Sequence, residues 1–143
     1  MEGGIYGCGA RWEAWLPPGI RRFRARRELW SRRWDIVALT PEGRRALSRS
    51  HRTLCCRLLL LPGECAAEPL PRLRICRAVS YGLSPRDSLT FSSLEQPALC
   101  VQRALTRPDG VTIEPQEIPL PELPPPVERF LPFLGLWLLC GRG

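Results

Sequence analysis

The chain contains no lysine and no asparagine, so all 21 of its basic residues are arginine. Lysine ordinarily ranks among the commonest residues, and a surface shaped for solubility scatters it widely. Both missing residues have codons beginning AA, whereas Arg, Pro, Gly and Ala are read from codons rich in G and C. The bias is therefore explained at the level of nucleotides, without a selected arginine chemistry.

Other absences exclude functions. There is no GxGxxG, Walker loop, HExxH or GxSxG, and no pair of carboxylates within one strong element, so enzyme readings have little to rest on. The expectation is a protein that is not an enzyme, holds no cofactor and takes no small-molecule substrate. Seven cysteines, at 8, 55, 56, 65, 76, 100 and 140, are odd in number, and none sits in a CxxC. That argues against a disulfide framework or a zinc knuckle. The opening MEGGIYGCGARWE lacks a basic region leading into an apolar one, and no apolar run approaches the roughly 20 residues a spanning helix needs. An intracellular, reducing location is expected. Glu2, Glu13, Glu28 and Asp35 interrupt what would otherwise resemble an acid-poor transit leader.

What is present suits one domain at most: 143 residues, 44% hydrophobic, 24% charged and net +7. Composition permits folding without demanding it, and a partly folded chain lies within that range. Charge is uneven, with sixteen arginines against seven acids in residues 1–77 and five against seven thereafter. A polyanion, RNA or anionic lipid, is the partner this basic front half suggests.

Pro17-Pro18-Gly19 closes a flexible N-terminus, 1–19. From Ile20 to Leu39 there is neither Pro nor Gly, and Phe23, Trp30, Trp34 and Val37 share one helical stripe. Thr40-Pro41-Glu42 has the chemistry of a stop followed by an N-cap, and Leu47, Leu54, Leu58 and Leu61 share a side before Pro62-Gly63. The expected fold is thus α+β and irregular. It has a basic helical hairpin, about 20–39 and 41–61, then short antiparallel strands at about 72–114 within a strand-rich segment 62–114. A turn at 106–111 joins 98–105 to 111–114. A Pro-rich extended linker, 115–129, leads to an apolar tail, 130–143.

Three functional readings follow. The first is the product of a GC-rich frame with no dedicated activity, resting on the biased composition and an exposed apolar tail. The second is non-enzymatic RNA binding through Arg21, Arg22, Arg24, Arg26, Arg27, Arg32 and Arg33, with Phe23, Trp30 and Trp34 free to stack on bases. The third is peripheral membrane association through the same helix and the tail residues Phe130, Leu131, Phe133, Leu134, Leu136, Trp137, Leu138 and Leu139. Weaker signals are a helical His51–Cys55 dyad, zinc on His51, Cys55 or Cys56, Cys65 and Cys76, and the PxxP spacing of Pro121–Pro124. Ser48 and Ser50 stand in a basic context that a kinase could read.

Overall fold

The structure, a computed structural model, describes residues 1–65 and 69–141. Its strands are β1 (Gly3–Tyr6), β2 (Ile20–Phe23), β3 (Trp34–Leu39), β4 (Thr53–Pro62), β5 (Arg72–Tyr81), β6 (Leu89–Phe91), β7 (Ala98–Val101), β8 (Leu105–Thr106), β9 (Thr112–Ile113) and β10 (Gln116–Pro119). Eight of them form one sheet in the order β10-β7-β6-β5-β4-β3-β1-β2, while β8 and β9 pair separately. Pairing is parallel from β2 across to β6, and antiparallel for β6 with β7 and β7 with β10. Helices are few and short: α1 (Arg27–Trp30), α2 (Pro41–Leu47) and α3 (Leu131–Cys140). This is an α/β fold with a mostly parallel sheet.

The helical hairpin expected over 20–61 does not exist. Residues 20–39 supply β2, a single helical turn and β3, and 53–62 are a ten-residue strand. The physical reason lies in burial on both faces. Parallel strands covered from both sides read as continuous apolar runs, and such runs satisfy a 3.6-residue stripe as readily as a strand. Leu58, Leu59 and Leu60 are all fully buried on alternating faces of β4, and Ile36 to Leu39 likewise in β3. The segment read as short antiparallel strands opens instead with β5, ten residues long and parallel to β4. Residues 3–6, within the stretch expected to be flexible, form an interior strand between β2 and β3.

Two apolar clusters sandwich the sheet. One lies under α3 and joins Ile36, Ala38, Leu58, Leu60, Val79 and Leu89 to Leu131, Phe133, Leu136 and Leu139. The other, on the side of α1 and α2, contains Phe23, Leu29, Trp34, Val37, Leu47 and Leu59. Gly135 lets α3 sit close, since a Cβ there would press on Leu60 and Leu89. The C-terminal apolar stretch is therefore core, and the expectations of an exposed tail and of a partly disordered chain fall with it. No helix among the described residues is long and apolar enough to cross a membrane.

Across β3, β4 and β5 the alternation of faces changes phase in one row. Pairing skips Asp35, Arg57 and Cys76 while the register on either side is unchanged. Before the row Leu54, Cys56, Leu73 and Ile75 face α1 and α2, and after it Leu58, Leu60, Val79 and Tyr81 face α3. The three strands share the irregularity, so ladder bonds resume on both sides of it.

Candidate ligand cleft at the carboxyl edge

The chain leaves β1 toward β2 on one side and leaves β3 toward β4 on the other, so the strand order reverses between β1 and β3. In open parallel sheets the connections diverge at such a switch point and leave a crevice beyond the carboxyl ends of the strands. A cleft of about 540 Å³ lies there, walled by the exits of β1, β3, β4 and β5 and by the start of α3.

Glycines shape its floor. Gly7, at φ +108°, follows Tyr6, and a Cβ on it would overlap Thr40 Oγ1, while one on Gly43 would overlap the Tyr6 carbonyl. Only two bare backbones can approach this closely. Thr40 locks the contact: its hydroxyl donates to Gly7 O at 2.7 Å and accepts from Gly43 N at 3.0 Å, capping α2 ahead of Pro41. Arg22 holds the following turn from outside, donating to Cys8 O at 3.3 Å and pairing with Glu13 at 2.9 Å.

The opposite wall of the floor is set by Asp87. Its carboxylate is buried against Gly63 and Gly82, where any Cβ would collide with it, and it accepts from Ser84 N at 3.1 Å. Gln102 ties the same loop down, donating to Asp87 O at 2.6 Å and Pro85 O at 3.2 Å. Tyr81 donates to Leu39 O at 2.7 Å, spanning β4 to join the exits of β5 and β3. Arg44, also buried, donates to Pro62 O at 3.3 Å.

One side is aromatic. Trp12 stacks on Phe133 with centroids 4.8 Å apart and 13° between planes, meets Phe130 edge-on at 5.1 Å, and has the Arg11 guanidinium 5.3 Å from its ring. Charge at the rim is balanced, with Arg11, Arg45 and Arg129 against Glu42, Glu64 and Glu128. Burial pushes the Cys8 thiol up to about 11, an effect that nearby Arg22 only partly opposes. At neutral pH it is a protonated thiol and a poor nucleophile.

Of the site residues singled out from sequence, only Leu131 and Phe133 line this cleft; none of the basic and aromatic residues of 21–34 does. Phe23 and Trp34 are buried against each other at 4.9 Å and Trp30 is half-buried, so neither of the first two offers a face to a base. Arg21 and Arg32 lie over Trp34 at 5.1 and 4.9 Å, and Arg32 pairs with Glu2 at 2.7 Å. Arg24, Arg26, Arg27 and Arg33 are exposed; Arg22 is mostly covered. Among the tail residues Phe130, Leu131, Phe133, Leu136 and Leu139 are core, Leu134 and Leu138 are partly buried against it, and Trp137 is half-exposed, donating to Trp15 O at 2.7 Å. Such side chains have no lipid-facing surface in common.

His51 and Cys55 flank the start of a strand, where a separation of four residues is about 13 Å, so the helical dyad cannot form. Among the described residues no group of three His, Cys, Asp or Glu could hold a metal ion, and the Cys65 side chain lies outside the description. Ser48 is the C-cap of α2, its Oγ donating to Arg45 O at 2.8 Å, and Ser50 lies beyond the helix end. Leu123, inside the PxxP spacing, is buried at 7% exposure.

Sequence reasoning missed Gly7, Gly9, Thr40, Tyr81 and Asp87 as a set. A signal for them exists: Tyr6-Gly7, Pro62-Gly63 and Tyr81-Gly82 each place a glycine directly after an apolar or β-branched run. Comparison of the chain with protein-family models, curated proteins and solved structures finds no match.

Proposed function

We propose that the protein is a non-catalytic binding module whose carboxyl-edge cleft takes a small molecule with a flat apolar part. The observation that carries this reading is the position of the cleft, at the one place in the parallel sheet where the strand order reverses. Its size suits a metabolite-sized ligand, and Trp12, held flat on Phe133, offers a rigid stacking wall. The balanced rim favours a ligand that is neutral or carries both signs.

Binding without chemistry follows from the groups at hand. The Thr40 hydroxyl is engaged at both its donor and acceptor sides, and the Cys8 thiol holds its proton. His51 precedes β4, at the end of that strand remote from the cleft. A nucleophile hydrogen-bonded to a base is the usual arrangement for covalent catalysis, and among the described residues of the cleft Cys8 and Thr40 have no such partner. The reading departs from the expectation of a chain with no dedicated activity and no small ligand. One support of that expectation, an exposed apolar tail, is absent.

Gly9 supplies the test. It lines the cleft with extended backbone, at φ −77°, and a Cβ built there meets nothing within 4 Å. Gly9→Trp should therefore fill the mouth and leave the fold intact. With the neutral aromatic N-phenyl-1-naphthylamine as probe, the unaltered chain should show saturable one-site fluorescence enhancement. Amide shifts should cluster at Gly7–Gly9, Thr40–Arg45 and Tyr81–Leu83, and both signals should vanish in Gly9→Trp at unchanged unfolding midpoint. Enhancement that survives the substitution, or shifts centred elsewhere, removes the cleft as the site.

A further inference from the structure

The amino-terminal halves of β4 and β5 carry chemistry that the cleft does not use. In register, Arg72 stands beside Thr53, Arg74 beside Cys55 and Arg77 beside Leu58. Leu73 and Ile75 pack toward α1 and α2, so Arg72 and Arg74 point to the opposite face, and Arg77 shares that face with Leu58. This is the face on which α3 sits, but α3 packs over Leu60, Val79 and Leu89 toward the other end of the strands. All three arginines are left exposed.

Two more join them. Arg33 reaches across β4, its Nη2 lying 3.9 Å from Cys76 Sγ, and Arg57 is 54% exposed. Among the described residues, the carboxylate that pairs with one of these five is Asp35, at 3.8 Å from Arg57. Among the described residues no acid pairs with Arg72, Arg74 or Arg77.

Strand geometry spaces Arg72 and Arg74 about 6.6 Å apart and carries the row through Arg77 over about 17 Å. Guanidinium forks in a row on a flat surface match the bidentate geometry and the linear repeat of phosphates. We infer that this strip is a sequence-independent docking surface for the phosphate backbone of nucleic acid. The large exposed apolar side chains are Met1, Trp15, Leu83, Leu94, Val111 and Trp137, and none belongs to the strip. It thus has nothing to insert between lipids, which membrane attachment by a peripheral surface requires, and no aromatic face with which to read bases. The polyanion partner suggested by composition is kept, but on strands in place of a helix.

Fluorescence anisotropy of the full chain with a mixed-sequence 20-nucleotide RNA and a 20-base-pair DNA, from 25 to 200 mM NaCl, tests this. With three to five phosphates contacted, log K against log salt should fall with a slope of about −3 to −4.5 on the duplex. Arg72→Gln/Arg74→Gln/Arg77→Gln should reduce that slope by about 2 to 3 and weaken low-salt binding at least tenfold. Arg24→Gln/Arg26→Gln/Arg27→Gln removes the same charge from another exposed segment and should leave the slope unchanged. If the strip triple loses stability, the pair Arg72→Gln/Arg74→Gln gives about two thirds of the slope change. Equal losses in the two triples, no binding at 25 mM salt, or binding only to vesicles containing phosphatidylserine would each overturn the assignment. Gly9→Trp, which blocks the cleft, should not alter nucleic-acid binding, so the two sites fail separately.

Discussion

The two ends of the parallel strands are made of different material. At the carboxyl edge, Gly7, Gly43, Gly63 and Gly82 bring main chain against main chain or against the Asp87 carboxylate, and charges around the cleft cancel. At the amino edge the distinguishing groups are side chains, the exposed Arg72, Arg74 and Arg77, with which no described acid pairs. A concave site needs backbone to be absent where a ligand enters and close-packed where it does not. A flat polyanion surface needs only exposed heads on a regular scaffold. The first should therefore be intolerant of single atoms and the second tolerant of single residues.

Gly43→Ala is the sharpest way to break the contrast. Its Cβ would occupy the position of the Tyr6 carbonyl, which Thr40 also holds through its own amide at 3.1 Å. Neither backbone can yield without opening β1 or α2, and a loss of about 4 kcal/mol is expected. Urea unfolding measures it; a change under about 1 kcal/mol would put the two edges on equal terms. Leu136→Ala comes next. Leu136, on the sheet-facing side of α3, is fully buried, and its truncation should cost about 3 kcal/mol, while the salt slope for nucleic acid stays that of the unaltered chain in the folded fraction. A Leu136→Ala protein with unaltered stability would return the C-terminal stretch to the surface.

The same contrast decides what was legible. Helix α2 begins where Thr40-Pro41-Glu42 says it should, because capping is local chemistry written in three consecutive residues. Its length was not legible: the run from Leu47 to Leu61 contains a helical stripe, yet Leu58, Leu59 and Leu60 are buried on both faces, a property of the neighbours that cover them. Phe23 and Trp34 form a stripe in a helix and a contact pair in the sheet, so their spacing could not choose between the two. The cleft was invisible for a related reason. Gly7, Thr40 and Gly82 come from three strands, and only the order of β1 and β3 in the sheet brings them to one edge. The arginines were obvious as composition, but which of them come near one another depends on strand order, since Arg33 is far from β5 in sequence and yet reaches Cys76 across β4.

Thiols give the smallest and most local reading of the contrast. Burial pushes Cys8, beside the cleft, to about 11, Cys140 to about 11 and Cys56 to about 12, above the ordinary value of 9.0. Cys76, at the amino edge, is exposed. Iodoacetamide at pH 8 should accordingly modify Cys76 well before Cys8, Cys56 or Cys140, as peptide mapping would show; early loss of Cys8 would mean the cleft floor is open to solvent. The same shifts tie stability to alkali. Because the folded state holds these protons more tightly than the unfolded chain, their contribution is complete below about pH 9 and declines as pH rises through 11 toward 12. The unfolding midpoint should thus fall between pH 8 and pH 10. Cys56→Val, which keeps an apolar side chain suited to a strand, should flatten that fall.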